Sequence, residues 1–348
     1  MFKRVILLFL GLIGYMASIW AQAEQVSANT QLFSKKEIIE VKLHTNLAAL
    51  LKDRADQRDY HPAKLIYTDE DGNEVTMDAV KLRLRGHFRR KRSTCDFPPI
   101  KINFATKKTK GTIFEGQDKL KLVTHCQNNS KLFEQYVLQE HLIYQMYNCI
   151  NEHSFLTRLI HITYIDSSEK YDPISKYAFL IEDEDLMAER LEGTMIETPG
   201  LAPMHLDQEV ASRLAIFQYM IGNTDFSIPY MHNIKLLQKR GGGLPIPIPY
   251  DFDWSGLIYI PYTQPHEMFK TENVKQRVFR GGCREPAEFE ADIAYFQSKK
   301  SEIMELLEQD PRLNKKRKNK SRTYLERFFK ILDSPRLLKV NIYDECRE

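Results

Sequence analysis

Glycine is scarce where a nucleotide-binding chain most often uses it. The 348 residues hold 15 glycines, and no glycine-rich phosphate loop is among them. A one-sided charge is lacking as well. Setting aside Lys3 and Arg4 leaves 48 basic against 47 acidic residues, so there is no general electrostatic case for nucleic acid or an anionic membrane. After residue 23 no stretch is apolar enough to span a bilayer. Internal repeats are absent, and the one low-complexity tract is the basic run 315–320, which is predicted to be a solvated loop. The five cysteines match no zinc spacing, and their odd number leaves at least one thiol unpaired.

What is present fits an exported globular chain. Met1-Phe-Lys-Arg4 is a positive start, Val5 to Trp20 is apolar, and Ala21-Gln-Ala23 suits a signal peptidase, so residues 1–23 are predicted to be a leader cleaved near Ala23. No transmembrane segment is expected in the mature chain, and its destination is periplasmic or extracellular. Export permits disulfides. Cys95 and Cys126 flank segments predicted to be neighbours and are the first pair to test.

Strand-like runs dominate the first half: 37–44, 63–68, 74–79 and 80–88, then Ile100–Phe104 and Lys119–Val123. A long helix is predicted from about Lys131 to Asn148, followed by strands at 158–164 and 177–181. Beyond Glu182 the pattern turns mainly helical, with helices at 207–220, 286–309 and 322–332. The expected organisation is α+β and bilobal: a β-rich part with one long helix over 24–181 and a mainly helical part over 182–348.

The richest chemistry lies between Ile221 and Gly256. Gly222-Asn-Thr-Asp225 precedes His232-Asn233; a short apolar run then leads through Gly241-Gly-Gly243 to Pro249-Tyr-Asp-Phe-Asp-Trp-Ser-Gly256. The run reads as a hairpin, which would bring Asp225, Asn233, Asp251 and Asp253 to one point. Oxygen ligands of this kind suit Mg²⁺, which takes one or two carboxylates and leaves room for water and phosphate oxygens. Asp225 beside Asn and Thr also suits a turn cap. A metal-dependent phosphodiesterase would need more histidine than His232 nearby.

Four segments carry a resemblance: Arg83-Leu-Arg-Gly86, Tyr177-Ala-Phe-Leu-Ile-Glu182, Gly222-Asn-Thr-Asp225 with His232-Asn233, and Pro249 to Gly256. Together they resemble the CotH-like, spore-coat-H type of atypical protein kinases and span about half of the mature chain. The resemblance implies a bilobal protein-kinase-like fold and transfer of the ATP γ-phosphoryl group to a Ser, Thr or Tyr of an envelope or secreted protein, with Mg²⁺ or Mn²⁺. In that scheme Asp225 is the catalytic Asp, and Asn233 with Asp251 or Asp253 holds metal. Lys101 meets the nucleotide phosphates, with Lys119 and Lys121 as rivals. Its ion-pair partner is Glu134 or Glu140 on the long helix. Arg85, with Arg89 and Arg90, takes the place of the missing glycine loop, and Glu182 meets the adenine or ribose. A catalytically inactive binding or scaffold module of the cell envelope is the alternative.

Overall fold

The computed structural model describes residues 31–347; the predicted leader, 1–23, lies outside them. Seven strands form the first body: β1 (Ile39–Thr45), β2 (His61–Thr68), β3 (Glu74–Leu84), β4 (Ile100–Phe104), β5 (Lys119–Val123), β6 (Thr157–Asp166) and β7 (Ile174–Ile181). They close into a barrel in the order β1-β2-β3-β4-β5-β7-β6. Neighbours pair antiparallel except at the seam, where β1 runs parallel to β6 with Ile39 opposite Ile160 and Thr45 opposite Asp166. Closure leaves no exposed sheet edge in this body.

The period-two alternation of the strands sorts their side chains between two cores. On β7, Ala178 and Leu180 pack into the barrel interior with Ile160, Ile162 and Tyr164 of β6. Phe179 and Ile181, one residue out of phase, join a second core with Leu159. That second core is built not around the short helix α1 (Leu47–Lys52) but around α2 (Lys131–Ile150), which lies against β7. Its apolar residues repeat at helical spacing, from Phe133 and Tyr136 through Ile143 to Tyr147, and face inward.

After the barrel come α3 (Glu184–Arg190), β8 (Gly193–Ile196), α4 (Gln208–Ile221), β9 (Ile234–Lys239) and β10 (Ile246–Pro249). The three strands make a small antiparallel sheet in the order β10-β9-β8. Helices α5 (Pro286–Ser298), α6 (Lys300–Gln309) and α7 (Lys315–Leu332) complete the second core. Two disulfides tie down loops, Cys95–Cys126, the pair expected from the sequence, and Cys283–Cys346; Cys149 is a free thiol. Among the described residues no helix is long and apolar enough to cross a membrane.

Three expectations need correction. The bilobal kinase-like fold is not adopted: the strands close into a mixed seven-stranded barrel flanked by helices. The closing contact is a parallel pairing between segments about 120 residues apart, which no local pattern announces. The strands expected at 74–79 and 80–88 are one strand, β3, which ends at Leu84 and whose register with β2 shifts between Ala63 and Leu65. The basic run 315–320 is not a loop but the first turns of α7, capped by Asn314, whose Oδ1 accepts from Arg317 N–H at 2.9 Å.

Arg317 explains that last correction. Its guanidinium is buried, donates to Gln139 Oε1 at 2.7 Å and to Ile258 O, and lies over the Tyr136 ring. One basic residue in the run is therefore a core residue that joins α7 to α2. Arg317→Met is expected to lower unfolding stability by about 2–4 kcal/mol in urea titrations, since it strands Gln139 and a buried carbonyl. The neighbouring exposed Lys316→Met should be close to neutral.

Candidate functional site

The loops around the β9–β10 hairpin are joined by backbone before any side chain acts. Helix α4 ends at Gly222, whose φ of +65° is left-handed; a Cβ there would meet Tyr324 Oη at 2.0 Å. Gly222 O accepts from Gly256 N–H and Ile221 O from Leu257 N–H, each at 3.0 Å. The segments before and after the hairpin thus run side by side. Asn223 Oδ1 then accepts from Asp225 N–H at 3.0 Å and fixes the turn that carries Asp225.

Asp225 and Asn233 form one unit. Asn233 Nδ2 donates to Asp225 O at 2.7 Å and to Asp225 Oδ2 at 3.0 Å, and His232 Nε2 lies 2.9 Å from Asp225 Oδ1. Asn233 has a φ of +54° and accepts at its own carbonyl from Tyr250 N–H, 3.1 Å away. Asp251, next in sequence to Tyr250, also adopts a left-handed φ, +60°. Its N–H donates to Tyr144 Oη at 2.9 Å, so a tyrosine of α2 sets the turn. The polar series Asp225, Asn233 and Asp251 is thus held in one corner by a chain of hydrogen bonds.

Behind that corner sits a buried charge cluster. Arg89, in the loop between β3 and β4, reaches Asp251 Oδ1 at 2.9 Å, Asp253 Oδ2 at 3.4 Å and Glu140 Oε2 at 3.5 Å. Tyr262 Oη donates to Asp253 Oδ2 at 2.7 Å. Burial would lower the Arg89 pKa, but Asp253, Glu140 and Asp251 outweigh it and hold the guanidinium charged. Burial raises the carboxyls most: Glu140 is pushed up to about 8, with Arg89 opposing and Asp253 adding to the rise. Asp253 is pushed up to about 7 by burial, against Arg89 and with Asp251. One guanidinium cannot neutralise three carboxylates, and Glu140 Oε1 is buried without a hydrogen-bond partner.

The two aspartates of the Asp251-Phe-Asp253 segment are therefore unequal. The Asp253 side chain is 5% exposed and committed to Arg89 and Tyr262; that of Asp251 is 32% exposed, and its Oδ2 carries no hydrogen bond among the described residues. Asn233 Oδ1 is also unbonded among those residues. No group of three or more His, Cys, Asp or Glu is arranged there to hold a metal ion by itself. The donor set fits Mg²⁺ arriving with phosphate oxygens, which asks one or two carboxylates of the protein.

Basic residues gather around Tyr250. Lys121 on β5 lies over the Tyr250 ring, 5.4 Å from its centroid, and 3.7 Å from Glu184. Lys235 on β9 is 2.7 Å from the same carboxylate. Arg85 lies close enough to act on Lys121, Tyr250 and Glu140. Burial and then Arg85 lower the Lys121 pKa.

The other predicted residues are placed as follows. Lys101 pairs with Lys121 across β4 and β5, and its charge reaches Glu184. Lys119 is exposed and bonded to Asp118. Glu134 Oε1 accepts from Tyr177 N–H at 2.8 Å, so of the two α2 carboxylates only Glu140 meets the charge cluster, and there it meets Arg89 rather than a lysine. Glu182 is buried, bonded to Arg190 at 2.8 Å and to Leu156 N–H at 3.0 Å, which makes it a structural anchor. Arg90 is turned away toward Asp56 and Ala55 O. Sequence reasoning missed Tyr144, Tyr262, Glu184 and Lys235. The isolated lysine at 235 between apolar Ile234 and Leu236 was the one local sign among them.

No family model and no curated protein matches the chain.

The charge cluster sets a pH dependence. Because the folded-state pKa values of Glu140 and Asp253 lie above their unfolded values, the folded state holds extra protons between about pH 4 and pH 8. Their contribution to stability is greatest below that window and is lost as pH rises through it. Arg89→Met, measured by urea unfolding in metal-free buffer, should therefore cost about 3–5 kcal/mol at pH 8 and clearly less at pH 5. Glu140→Gln should flatten the fall in stability of the otherwise unchanged protein between pH 5 and pH 8.

Proposed function

We propose that the chain is an exported phosphotransferase, which moves the γ-phosphoryl group of ATP to a hydroxyl of a protein with a divalent metal ion. One observation carries the reading: a partly exposed corner of Asp225, Asn233 and Asp251 stands beside a basic wall of Arg85, Lys121 and Lys235. Such a pairing suits a polyphosphate bridged by Mg²⁺ or Mn²⁺. The resemblance of four segments to CotH-like kinases supports the same chemistry. Two disulfides and the predicted leader support export to the periplasm or beyond.

In this reading the basic wall binds the triphosphate, with Lys121 and Lys235 released from Glu184 toward phosphate oxygens. Asp251 and Asn233 would hold the metal, which would supply charge neutralisation on the phosphates. Asp253 acts through Arg89: it fixes the guanidinium and keeps Asp251 oriented. Asp225 accepts the proton of the acceptor hydroxyl as its oxygen bonds to the γ-phosphorus; the bond from that phosphorus to the β–γ bridging oxygen breaks, and ADP leaves with the electron pair. His232, against the other Asp225 oxygen, can relay that proton to water.

A second reading has its own support. Arg89 already engages both candidate metal aspartates, an arrangement that also suits a non-catalytic binding module of the envelope. Transfer of label from γ-labelled ATP by the mature protein with Mg²⁺ or Mn²⁺ separates the two. Asp225→Asn is expected to lower transfer by about 10²-fold or more while ATP still binds, as befits removal of a proton acceptor. Asp251→Asn is expected to weaken metal-dependent ATP binding as well. Calorimetry that finds no ATP binding by the parent protein at millimolar nucleotide would rule out the phosphotransferase and leave the binding module.

A further inference from the structure

On the face of α4 away from the charge cluster is a cavity of about 400 Å³. Its floor is α4 at Ala211, Ser212 and Ala215, and one wall is the segment Phe226–Pro229, which directly follows Asp225. The other wall is Arg280 to Arg284, closed by Arg347 and stapled through Cys283–Cys346. The lining is therefore apolar at the base and cationic at one side.

The arginines of this wall are not equivalent. Arg284 is paired with Asp292 and Glu288. Neither Arg280 nor Arg347 has an ion-pair partner among the described residues, and they stand close enough to repel each other. Burial first, then Arg347, push the Arg280 guanidinium down to about 10, with Asp225 opposing. Arg280 is clamped between Phe226 and Phe269, 4.4 and 4.8 Å from the ring centroids, and Arg347 flanks Phe269 as well. Its Nη1 donates to Thr224 O at 2.8 Å and to Phe226 O, the carbonyls on either side of Asp225. Three polar atoms of lining residues are buried without a hydrogen-bond partner, Arg280 Nε, Arg284 Nε and Ser212 Oγ, and Ser212 is 7% exposed. Fixed, unpaired donors over an apolar floor are the makings of a carboxylate site.

We propose that this cavity binds an acidic side chain with an apolar neighbour, belonging to the polypeptide whose hydroxyl is presented at Asp225. The placement rests on the phosphotransfer reading, because the cavity wall and the Asp225 turn are one continuous segment. The carboxylate meets Arg280 and Arg347, and the apolar neighbour meets the α4 floor. Acceptor choice is then set by residues flanking the hydroxyl, and Arg280 couples the filled cavity to the turn that holds Asp225.

The test is peptide binding without nucleotide, by fluorescence anisotropy, using the mature full chain carrying Asp225→Asn. The probe is a dye-labelled peptide with a central serine flanked on both sides by two glutamates and a leucine; its control has glutamine for every glutamate. The acidic peptide is expected to bind at least about tenfold tighter, and Arg347→Ala, at an exposed position, to remove most of that preference. Ser212→Ala should weaken the acidic peptide and leave the control unchanged. Equal binding of the two peptides, or a preference that survives Arg347→Ala, overturns the inference. Acid-selective binding in a protein that never transfers phosphate would sink the phosphotransferase alone; transfer to hydroxyls with no acidic preference would sink the cavity assignment alone.

Discussion

A single buried guanidinium holds three distant parts of this chain in register. Arg89 comes from a loop of the barrel, Glu140 from the middle of the long helix, and Asp251 with Asp253 from the turn after the small sheet. Taking such groups out of water costs several kcal/mol for each ion, and mutual attraction offsets this only when every member is present. The loop, the helix and the turn are consequently interdependent: displacing one leaves charge without a partner in the other two. The aromatic shell of Tyr144, Tyr262 and Phe252 raises the cost further by keeping water away.

The same cluster divides labour between two aspartates separated by one residue. Asp253 spends both of its contacts inward, on Arg89 and the Tyr262 hydroxyl, and Asp251 spends one oxygen inward and leaves the other without a hydrogen bond among the described residues. A left-handed turn at Asp251 makes this possible, because it lets the backbone N–H meet Tyr144 while the side chain turns back to Arg89. Asp tolerates that conformation better than most residues. An extended segment would have aimed both carboxylates to one side and offered no such distinction.

Much of the local structure was legible in the sequence, since it follows from short-range rules. The strands at 100–104 and 119–123, the α4 helix with its Asp207 cap and the hairpin around the three glycines all obey period or cap signals within a few residues. The meeting of the Asp225 and Asp251 turns was legible too, because a hairpin must bring its ends together. The barrel was not. Its seam pairs β1 with β6 across α2, and nothing in either strand distinguishes a partner so far along the chain. The role of Arg89 was half legible: a basic loop after β3 pointed to anions, yet the anions it meets are the protein's own. The burial of Arg317 was illegible for the same reason, since its partner Gln139 lies in a segment that folding alone brings near.

That shared reason bears on which charged groups remain for function. Arg89, Glu140, Asp253, Glu182 and Arg317 are buried and engaged by partners inside the fold, so their first physical role is to fix loops and helices. The groups with unspent capacity are fewer and lie at openings: the outer oxygen of Asp251, the amide oxygen of Asn233, the lysines around Glu184, and the Arg280–Arg347 pair. Arg280 links the last of these to the first, because its guanidinium grips the carbonyls on both sides of Asp225. A ligand that engages Arg280 therefore acts on the group that holds the two carbonyls flanking Asp225. The corner and the cavity are two ends of one hydrogen-bonded path.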